Sequence, residues 1–220
     1  GGLCHAVPEA VVGELVDLGV DRLISLPLAP QSTHVYHATV REAAAAHPAL
    51  ALVEAPPWGT HPQLVAAFAS AILEAKGRLA ASSPSFVLAA HSLPLRVLQG
   101  GDPYERDFRA MAAAVETAIA AKGLTDVVVA FQSQGMGGGE WLGPTLDETL
   151  KGLRERGVES VLVAPIGFVA DHVETLYDID VEAADQARAL GFAELERMPA
   201  MDTRPDFIAA LEAVARPLLA

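Results

Sequence analysis

The stretch that decides the fold is residues 161–182, VLVAPIGFVADHVETLYDIDVE. It begins with a short apolar run at 161–166, which is rich in β-branched residues and predicts a buried strand. Asp171, followed three residues later by Glu174, has the spacing of a helix N-cap with a capping box. A strand followed closely by a helix is the unit of an α/β fold, and such folds bind ligands at the carboxyl ends of their strands.

The helix that this stretch predicts carries acids at four-residue intervals. Glu174, Asp178 and Glu182 are expected to lie in a row along one face, and His172 stands at the start of that row. Like charges at this spacing destabilise a helix by roughly 0.2–0.5 kcal/mol per pair, so water, a cation or proton uptake must compensate. The plainer interpretation takes Asp171 and Glu174 as a capping box only and the other acids as a solvated face.

Outward from this stretch, helical and extended patterns alternate along the whole chain. Strands are predicted at 22–26, 50–53, 86–90, 126–131 and 161–166, with another near 192–195. Helices are predicted at 8–18, 33–46, 62–79, 104–122, 144–156, about 171–190 and 205–218. This alternation predicts an α/β fold with mostly parallel sheets and helices on both faces.

The predicted strands are shared unequally between the two halves of the chain. The first half has only two, which is few for an independent sheet, and residues 82–84 break the pattern before the next strand. We therefore expect an incomplete first domain at 1–84, or one completed by another part of the structure. A second domain follows at 85–203, and a C-terminal helix at 204–220 is expected to pack back on the first domain.

Composition excludes several classes of function. The 220 residues carry a net charge of −13, which argues against nucleic acid or an anionic membrane surface as the main partner. The single cysteine, Cys4, excludes an internal disulfide and an Fe–S cluster held by several thiolates of this chain. With no signal peptide and no apolar run of transmembrane length, we expect a cytoplasmic protein that requires no cofactor.

Two further stretches bear on chemistry. His91 directly follows the strand FVLAA, where it can accept a proton near neutral pH or bind a metal, or merely hydrogen-bond a loop. The glycine-rich loop at 132–144 lacks a Lys-Ser/Thr ending and has Glu140 where the last glycine of GxGxxG would stand, so we expect no nucleotide site. Trp141 in this loop packs either in the core or against a flat ligand.

Two histidines lie three residues apart on the second predicted helix. His34 and His37 have the spacing of a metal-binding pair. No acid or third histidine lies near them in sequence, so the favoured interpretation places both on the surface without a metal.

Several motifs are more specific together than any one of them alone. They are AAHSLP at 89–94, GDPY at 101–104, FQSQG and WLGP within 131–144, and PIGFVADHVETLYDID at 165–180. In order and spacing they resemble ferrochelatase, the family that inserts ferrous iron into a porphyrin at the end of haem synthesis. LPLAPQST at 26–33 and PWGTHP at 57–62 extend the resemblance upstream. The resemblance implies two Rossmann-like, chelatase-type domains with the porphyrin in the cleft between them and no bound nucleotide.

The resemblance also implies roles for individual residues. His91 matches the family's proton acceptor, and Glu174 matches its partner, which relays protons or holds Fe²⁺. The other implied roles are an acidic ladder for metal or protons (Asp178, Glu182), supporting residues (Asp171, His172, Phe168) and porphyrin contacts (Trp141, Ser92, Leu93, Pro94). The implied substrates are Fe²⁺ and either protoporphyrin or coproporphyrin, and contact with a membrane surface or a haem-accepting partner is left open.

Departures from the family pattern leave alternatives open. Family members are commonly longer and carry an N-terminal strand, a glycine-bearing loop and a porphyrin-covering helix, so we expect this chain to be N-terminally incomplete. Met201-Asp202 stands where Leu-Asn is usual.

One alternative is a cobalt chelatase of the tetrapyrrole pathways, against which the HSLP and GFVADHVETLY strings argue. Another is a truncated domain that binds porphyrin without turnover.

Overall fold

The computed structural model describes residues 7–81, 83–135 and 139–219. Cys4, Ser82 and residues 136–138 of the glycine-rich loop therefore lie outside the described residues. The strands are β1 (Arg22–Ser25), β2 (Ala51–Glu54), β3 (Ser85–His91), β4 (Val127–Gln132), β5 (Ser160–Ala164) and β6 (Glu194–Arg197). The helices are α1 (Pro8–Asp17), α2 (Thr33–Ala44), α3 (Pro62–Lys76), α4 (Leu95–Gln99), α5 (Tyr104–Ala120), α6 (Leu146–Glu155), α7 (Val173–Leu176), α8 (Ala184–Leu190) and α9 (Pro205–Ala215), with a π-helix at Tyr177–Ala183 and a 3₁₀ helix at Arg216–Leu219.

The described strands form two parallel sheets, which confirms the predicted α/β class. β1 pairs with β2 in the first half of the chain, and the second half forms a four-stranded sheet in the order β4-β3-β5-β6. β3 is paired on both sides, and its last residue, His91, lies beside Gln132 at the end of β4. The carboxyl ends of β3, β4 and β5 therefore meet at one edge of the sheet, where ligands of such folds bind.

Residues of β3 alternate between two apolar cores, as expected for a strand covered on both faces. Phe86 and Leu88 face the core formed with α3, α5 and α9, whereas Val87 and Ala89 face the core formed with α6 and the helix that follows β5. Helices on both faces were predicted from the sequence. α9 packs against α3, and α3 itself belongs to the core of the larger sheet. The domain division at residue 84 stays a prediction.

The helix after β5 runs through α7, the π-helix and α8, and we call it the acidic helix (residues 173–190). Its buried side recurs every four residues, at Thr175, Ile179, Ala183 and Ala187. Four residues exceed one α-turn of 3.6 residues by about 40°, so in a pure α-helix such a line would drift around the axis. The wider π turn, with its i→i+5 hydrogen bonds, offsets this drift and keeps the line straight.

The start of the acidic helix differs from the prediction. Its N-cap is His172, whose ring nitrogen Nδ1 accepts a hydrogen bond from the backbone N–H of Glu174. The predicted capping role of Asp171 is therefore wrong, because its carboxylate is paired with Arg197 at 3.2 Å. An imidazole with an unprotonated nitrogen offers the same lone pair that a carboxylate would offer at an N-cap.

The structure also corrects the expectation for His37. Its side chain is buried, with Nε2 donating to the carbonyl of Ala55 at 2.9 Å and Nδ1 accepting from the hydroxyl of Ser25 at 2.8 Å. His37 thus joins α2 to the ends of β1 and β2 instead of facing solvent. His34 pairs with Asp102 at 3.2 Å. None of the helices in the described residues has the length and apolarity that crossing a bilayer requires.

Candidate active site

A cleft of about 450 Å³ lies between the carboxyl ends of the two sheets. One wall comes from the loop after β1 and the start of α2, and includes Leu28, Gln31 and Tyr36. The other wall comes from the end of β3, from α5 and from residues 167–174. A cleft of this size suits a small organic ligand, and its position agrees with the location that the sequence predicted.

His91 presents one ring nitrogen to this cleft. Its Nδ1 donates a hydrogen bond to the carbonyl of Ser92, because a carbonyl can only accept. The neutral ring therefore carries its free lone pair on Nε2, which lies 4.0 Å from Oε1 of Glu174. About a third of the side chain, 35%, is exposed. The ring of Phe168 lies beside that of His91, with 6.3 Å between centroids and a tilt of 55° between the ring planes.

Hydrogen bonds behind His91 fix the backbone that carries it. The hydroxyl of Tyr104 donates to the carbonyl of His91 at 2.7 Å. Burial of the phenol raises the pKa of Tyr104 above its usual range, so the hydroxyl keeps its proton and remains a donor. The N–H of Gly167 donates to Ala89 at 3.1 Å, and the carbonyl of Gly167 accepts from Nε2 of Gln31 at 2.9 Å.

Sequence reasoning missed two of these supporting residues. Tyr104 belongs to GDPY and Gln31 to LPLAPQST, two motifs that carried the resemblance without a role for either residue. The signal for Tyr104 was available, because a tyrosine at the start of an amphipathic helix after a strand-ending histidine can reach back to that strand. Gln31 carried no signal of its own, because its bond to Gly167 joins residues 136 positions apart.

Glu174, Asp178 and Glu182, which we call the acid row, line one wall of a second pocket of about 520 Å³, as their four-residue spacing predicts. We call this second pocket the acid pocket. Ser133, which follows β4 with a φ of +61°, donates a hydrogen bond to the carboxylate of Asp178. Glu174 lines both this pocket and the cleft. It is also 4.0 Å from Nδ1 of His172, so its carboxylate stands between two imidazoles.

The acidic side chains that line the acid pocket do not converge on one point in this structure. Among residues 7–81, 83–135 and 139–219, no three His, Cys, Asp or Glu side chains converge closely enough to hold a metal ion together. The side chain of Gln132 is buried at the floor of the pocket, and neither its amide nitrogen nor its oxygen has a hydrogen-bond partner within the described chain. Such an amide can exchange hydrogen bonds with water or with a hydrated cation.

The four predicted porphyrin contacts have different surroundings. Ser92 is fully buried, and its hydroxyl donates to the carbonyl of Leu142 at 2.7 Å; its contact with a porphyrin stays a prediction. The carbonyl of Leu93 accepts a hydrogen bond from the N–H of Leu142 at 2.8 Å, and Pro94 forms an isolated antiparallel bridge with Trp141. None of the four lines the His91 cleft, and the contacts of Leu93, Pro94 and Trp141 stay predictions.

The whole sequence was compared with protein families and with curated proteins. The family model described as Ferrochelatase matches residues 4–218. A ferrochelatase of Synechococcus sp. (strain JA-2-3B'a(2-13)) is 35% identical over 224 residues, and one of Deinococcus radiodurans is 36% identical over 225 residues. These alignments cover 98% and 97% of this chain but 64% and 70% of the relatives. The chain thus spans about two thirds of the length of these relatives.

The fold of this chain is similar to that of two solved chelatase structures. SirB from Bacillus subtilis with Fe³⁺ superposes with a TM-score of 0.71, covering 100% of this chain and 80% of SirB at 16% identity. The sirohydrochlorin chelatase SirB from B. subtilis subspecies spizizenii, in complex with cobalt, gives a TM-score of 0.63 over 98% of this chain and 76% of the other. At this identity the likeness shows the fold alone, and it confirms the predicted chelatase-type arrangement of Rossmann-like parallel sheets.

Proposed function

Because the chain belongs to the ferrochelatase family, we propose that it inserts Fe²⁺ into a porphyrin, with His91 as the proton acceptor and Glu174 as the relay for protons or metal. One observation carries the proposal. A histidine at the end of β3 lines the cleft, and its Nε2 lies 4.0 Å from a carboxylate that also lines an acidic pocket.

The chemistry requires two protons to leave the porphyrin for each Fe²⁺ that enters. His91 Nε2 is placed to take a pyrrole proton, because its other nitrogen is already committed to the Ser92 carbonyl. The resulting imidazolium passes the proton to Glu174, whose carboxylate lies within reach of a small side-chain rotation or one water molecule. Glu174 then delivers it to the acid pocket and to solvent.

Iron approaches from the opposite direction in this proposal. Fe²⁺ is bound by imidazole and carboxylate groups, and the acid row offers three carboxylates in succession. Asp178 and Glu182 form no ion pair with a cationic side chain of the described residues, so their charge is available to a cation from solvent. A single carboxylate binds a hydrated cation weakly. A row of them therefore suits the transfer of Fe²⁺ along the pocket better than its tight binding at one site.

The proposal extends to the setting of the reaction. The net charge of −13 and the single cysteine support a cytoplasmic protein that needs no Fe–S cluster or other cofactor. The apolar, flat product supports release to a membrane surface or to a haem-accepting protein. These statements rest on composition and on the chemistry of porphyrins.

The direct test is anaerobic insertion of Fe²⁺, with Zn²⁺ as a second metal, into protoporphyrin and coproporphyrin, followed by the Soret band. We expect turnover that depends on His91, and the preferred porphyrin identifies the substrate. A Soret shift without insertion would instead support a domain that binds porphyrin without turnover. A folded protein that neither shifts the Soret band nor inserts metal would overturn the proposal for this chain.

The acid row makes a separate prediction for Asp178→Asn. Loss of one carboxylate should raise the apparent KM for the metal about 5- to 30-fold, because roughly 1–2 kcal/mol of attraction to a dication is lost at a solvated site. Porphyrin affinity should change little, since Asp178 lines the acid pocket and not the cleft. Steady-state kinetics with varied metal at low ionic strength measures the effect.

Asp185→Asn is the matched control for Asp178→Asn. Asp185 lies on α8 of the same helix, but it pairs with Arg188 at 2.6 Å and does not line the acid pocket. Its replacement should leave the metal dependence unchanged. Equal KM values for the metal in both variants would return Asp178 to the role of an ordinary solvated acid.

A further inference from the structure

We propose that Arg197 is a positioning residue that orients the acid row by holding both the acidic helix and the loop just before it; this inference rests on the proposed function. Arg197 is the last residue of β6, which pairs with β5 in the four-stranded sheet. Its guanidinium therefore extends from a fixed strand toward the helix. None of the motifs that carried the family resemblance contains it.

The guanidinium of Arg197 bridges two acids nine residues apart. Nε lies 2.7 Å from Oδ1 of Asp180, in the middle of the π-helix, and Nη1 lies 3.2 Å from Oδ1 of Asp171, just before the helix begins. Only 15% of the side chain is exposed. Burial alone would lower the pKa of Arg197, but the hydrogen bond to Asp180 and the two carboxylate charges raise it above the usual range. The guanidinium of Arg197 is thus mostly buried, and the two carboxylates stabilise its charge.

A second contact from the same segment fixes Asp171 further. Asp202 accepts a hydrogen bond from the backbone N–H of Asp171 at 3.1 Å, and its own N–H donates to the carbonyl of Val169 at 2.8 Å. The loop before His172 is therefore held in two ways: the side chain of Asp171 pairs with Arg197, and the backbone of residues 169 and 171 bonds to Asp202. Arg197 ends β6, and Asp202 lies in the segment that follows it.

These contacts separate the acids of this region into two groups. Asp171 and Asp180 turn toward Arg197, and Asp180 lines a pocket on that side of the helix with Ala184 and Arg197. Glu174, Asp178 and Glu182 turn toward the acid pocket. Arg197 therefore pairs with the two acids on its own side of the helix, and no arginine or lysine of the described residues pairs with the three acids of the acid row.

The test compares Arg197→Met and Arg197→Lys with Arg204→Met. Arg204 is a matched control, because it is also partly buried and also bridges two carboxylates, Glu74 at 2.7 Å and Asp206 at 2.9 Å, away from the cleft and the acid pocket. Each variant is measured for kcat, for KM of metal and porphyrin, and for amide hydrogen exchange over residues 173–183. The exchange readout needs no turnover.

For Arg197→Met we expect a rise of about tenfold in the KM for metal, a change of less than about twofold in the KM for porphyrin, and faster exchange over 173–183. Arg197→Lys keeps the charge but loses the two-pronged geometry, so an intermediate KM for metal is expected. Asp180→Asn should reproduce much of the Arg197→Met effect, although Asp180 does not face the acid pocket. Arg204→Met should change neither the metal KM nor the exchange of 173–183.

Two results would overturn the inference: an Arg197→Met protein with wild-type metal KM and wild-type exchange, or an Arg204→Met protein with the same rise in metal KM. If the wild-type chain itself inserts no metal, the proposed function fails. The exchange comparison and the affinity for Zn²⁺ measured by calorimetry then still decide whether Arg197 orders the acid row.

Discussion

The His91→Ala variant is expected to insert iron about 10²–10⁴-fold more slowly than the wild type, the range that a positioned general base contributes. In the wild type, Nδ1 of His91 is bonded to the carbonyl of Ser92, which leaves Nε2 as the proposed proton acceptor, 4.0 Å from Glu174. Alanine leaves the pyrrole protons without an acceptor at that point. Single-turnover insertion, followed by the Soret band, measures the loss in the chemical step.

The fold should survive this substitution. The contact that Tyr104 makes is to the backbone carbonyl of His91, and it persists in the variant. Porphyrin binding should also persist, and added imidazole should restore part of the rate by occupying the vacated space. His61→Ala, at the N-cap of α3 and outside the cleft, is the control and should retain full activity. Near-normal insertion by His91→Ala would remove His91 from the mechanism.

The second large effect is expected for Gly167→Ala. A Cβ at Gly167 would stand 2.5 Å from Cβ and 2.8 Å from Cα of Ala90, so a methyl group meets the backbone of β3 directly. Overpacking of this kind costs about 1–3 kcal/mol, and a clash with backbone belongs at the upper end of that range. We therefore expect a fall of roughly 6–12 °C in Tm for a chain of this size.

Activity should fall further than stability alone explains. Gly167 holds the loop after β5 against β3 through its N–H, and it receives Gln31 through its carbonyl. A displaced loop moves Glu174 relative to His91. Gly152→Ala, in α6, is the control, because nothing lies within 4 Å of its added Cβ and an alanine there favours the helix by about 0.5–1 kcal/mol. Equal Tm values for wild type and Gly167→Ala would contradict the packing argument.

The fold was predictable because its signals are local. Alternating strand and helix patterns predicted all six strands, with ends shifted by one or two residues, such as β6 at Glu194–Arg197 against the predicted 192–195. The short helix α4 was not predicted, since five residues after a proline carry too little periodicity to register. The position of His91 at the mouth of the sheet followed from its place directly after a strand.

The contacts of Arg197 and Gln31 were not predictable, because they join residues far apart in sequence. Arg197 reaches Asp171 and Asp180 only when β6 has paired with β5. The N-cap was assigned to Asp171 on its residue type, and the structure uses His172 because tertiary pairing had already committed the carboxylate. The π-helix left one unrecognised signal, which was a strict four-residue repeat of both acids and buried residues along the helix.

Glu174 is the one described residue that touches both the cleft and the acid pocket. In the proposed reaction, one dication enters past Glu174 and two protons leave past it, so equal charge moves in opposite directions. The proposed exchange is therefore electroneutral over a complete turnover, and the cleft returns to its starting charge. A carboxylate between the two pockets suits this exchange, since it can bind either a proton or a metal ion, one at a time.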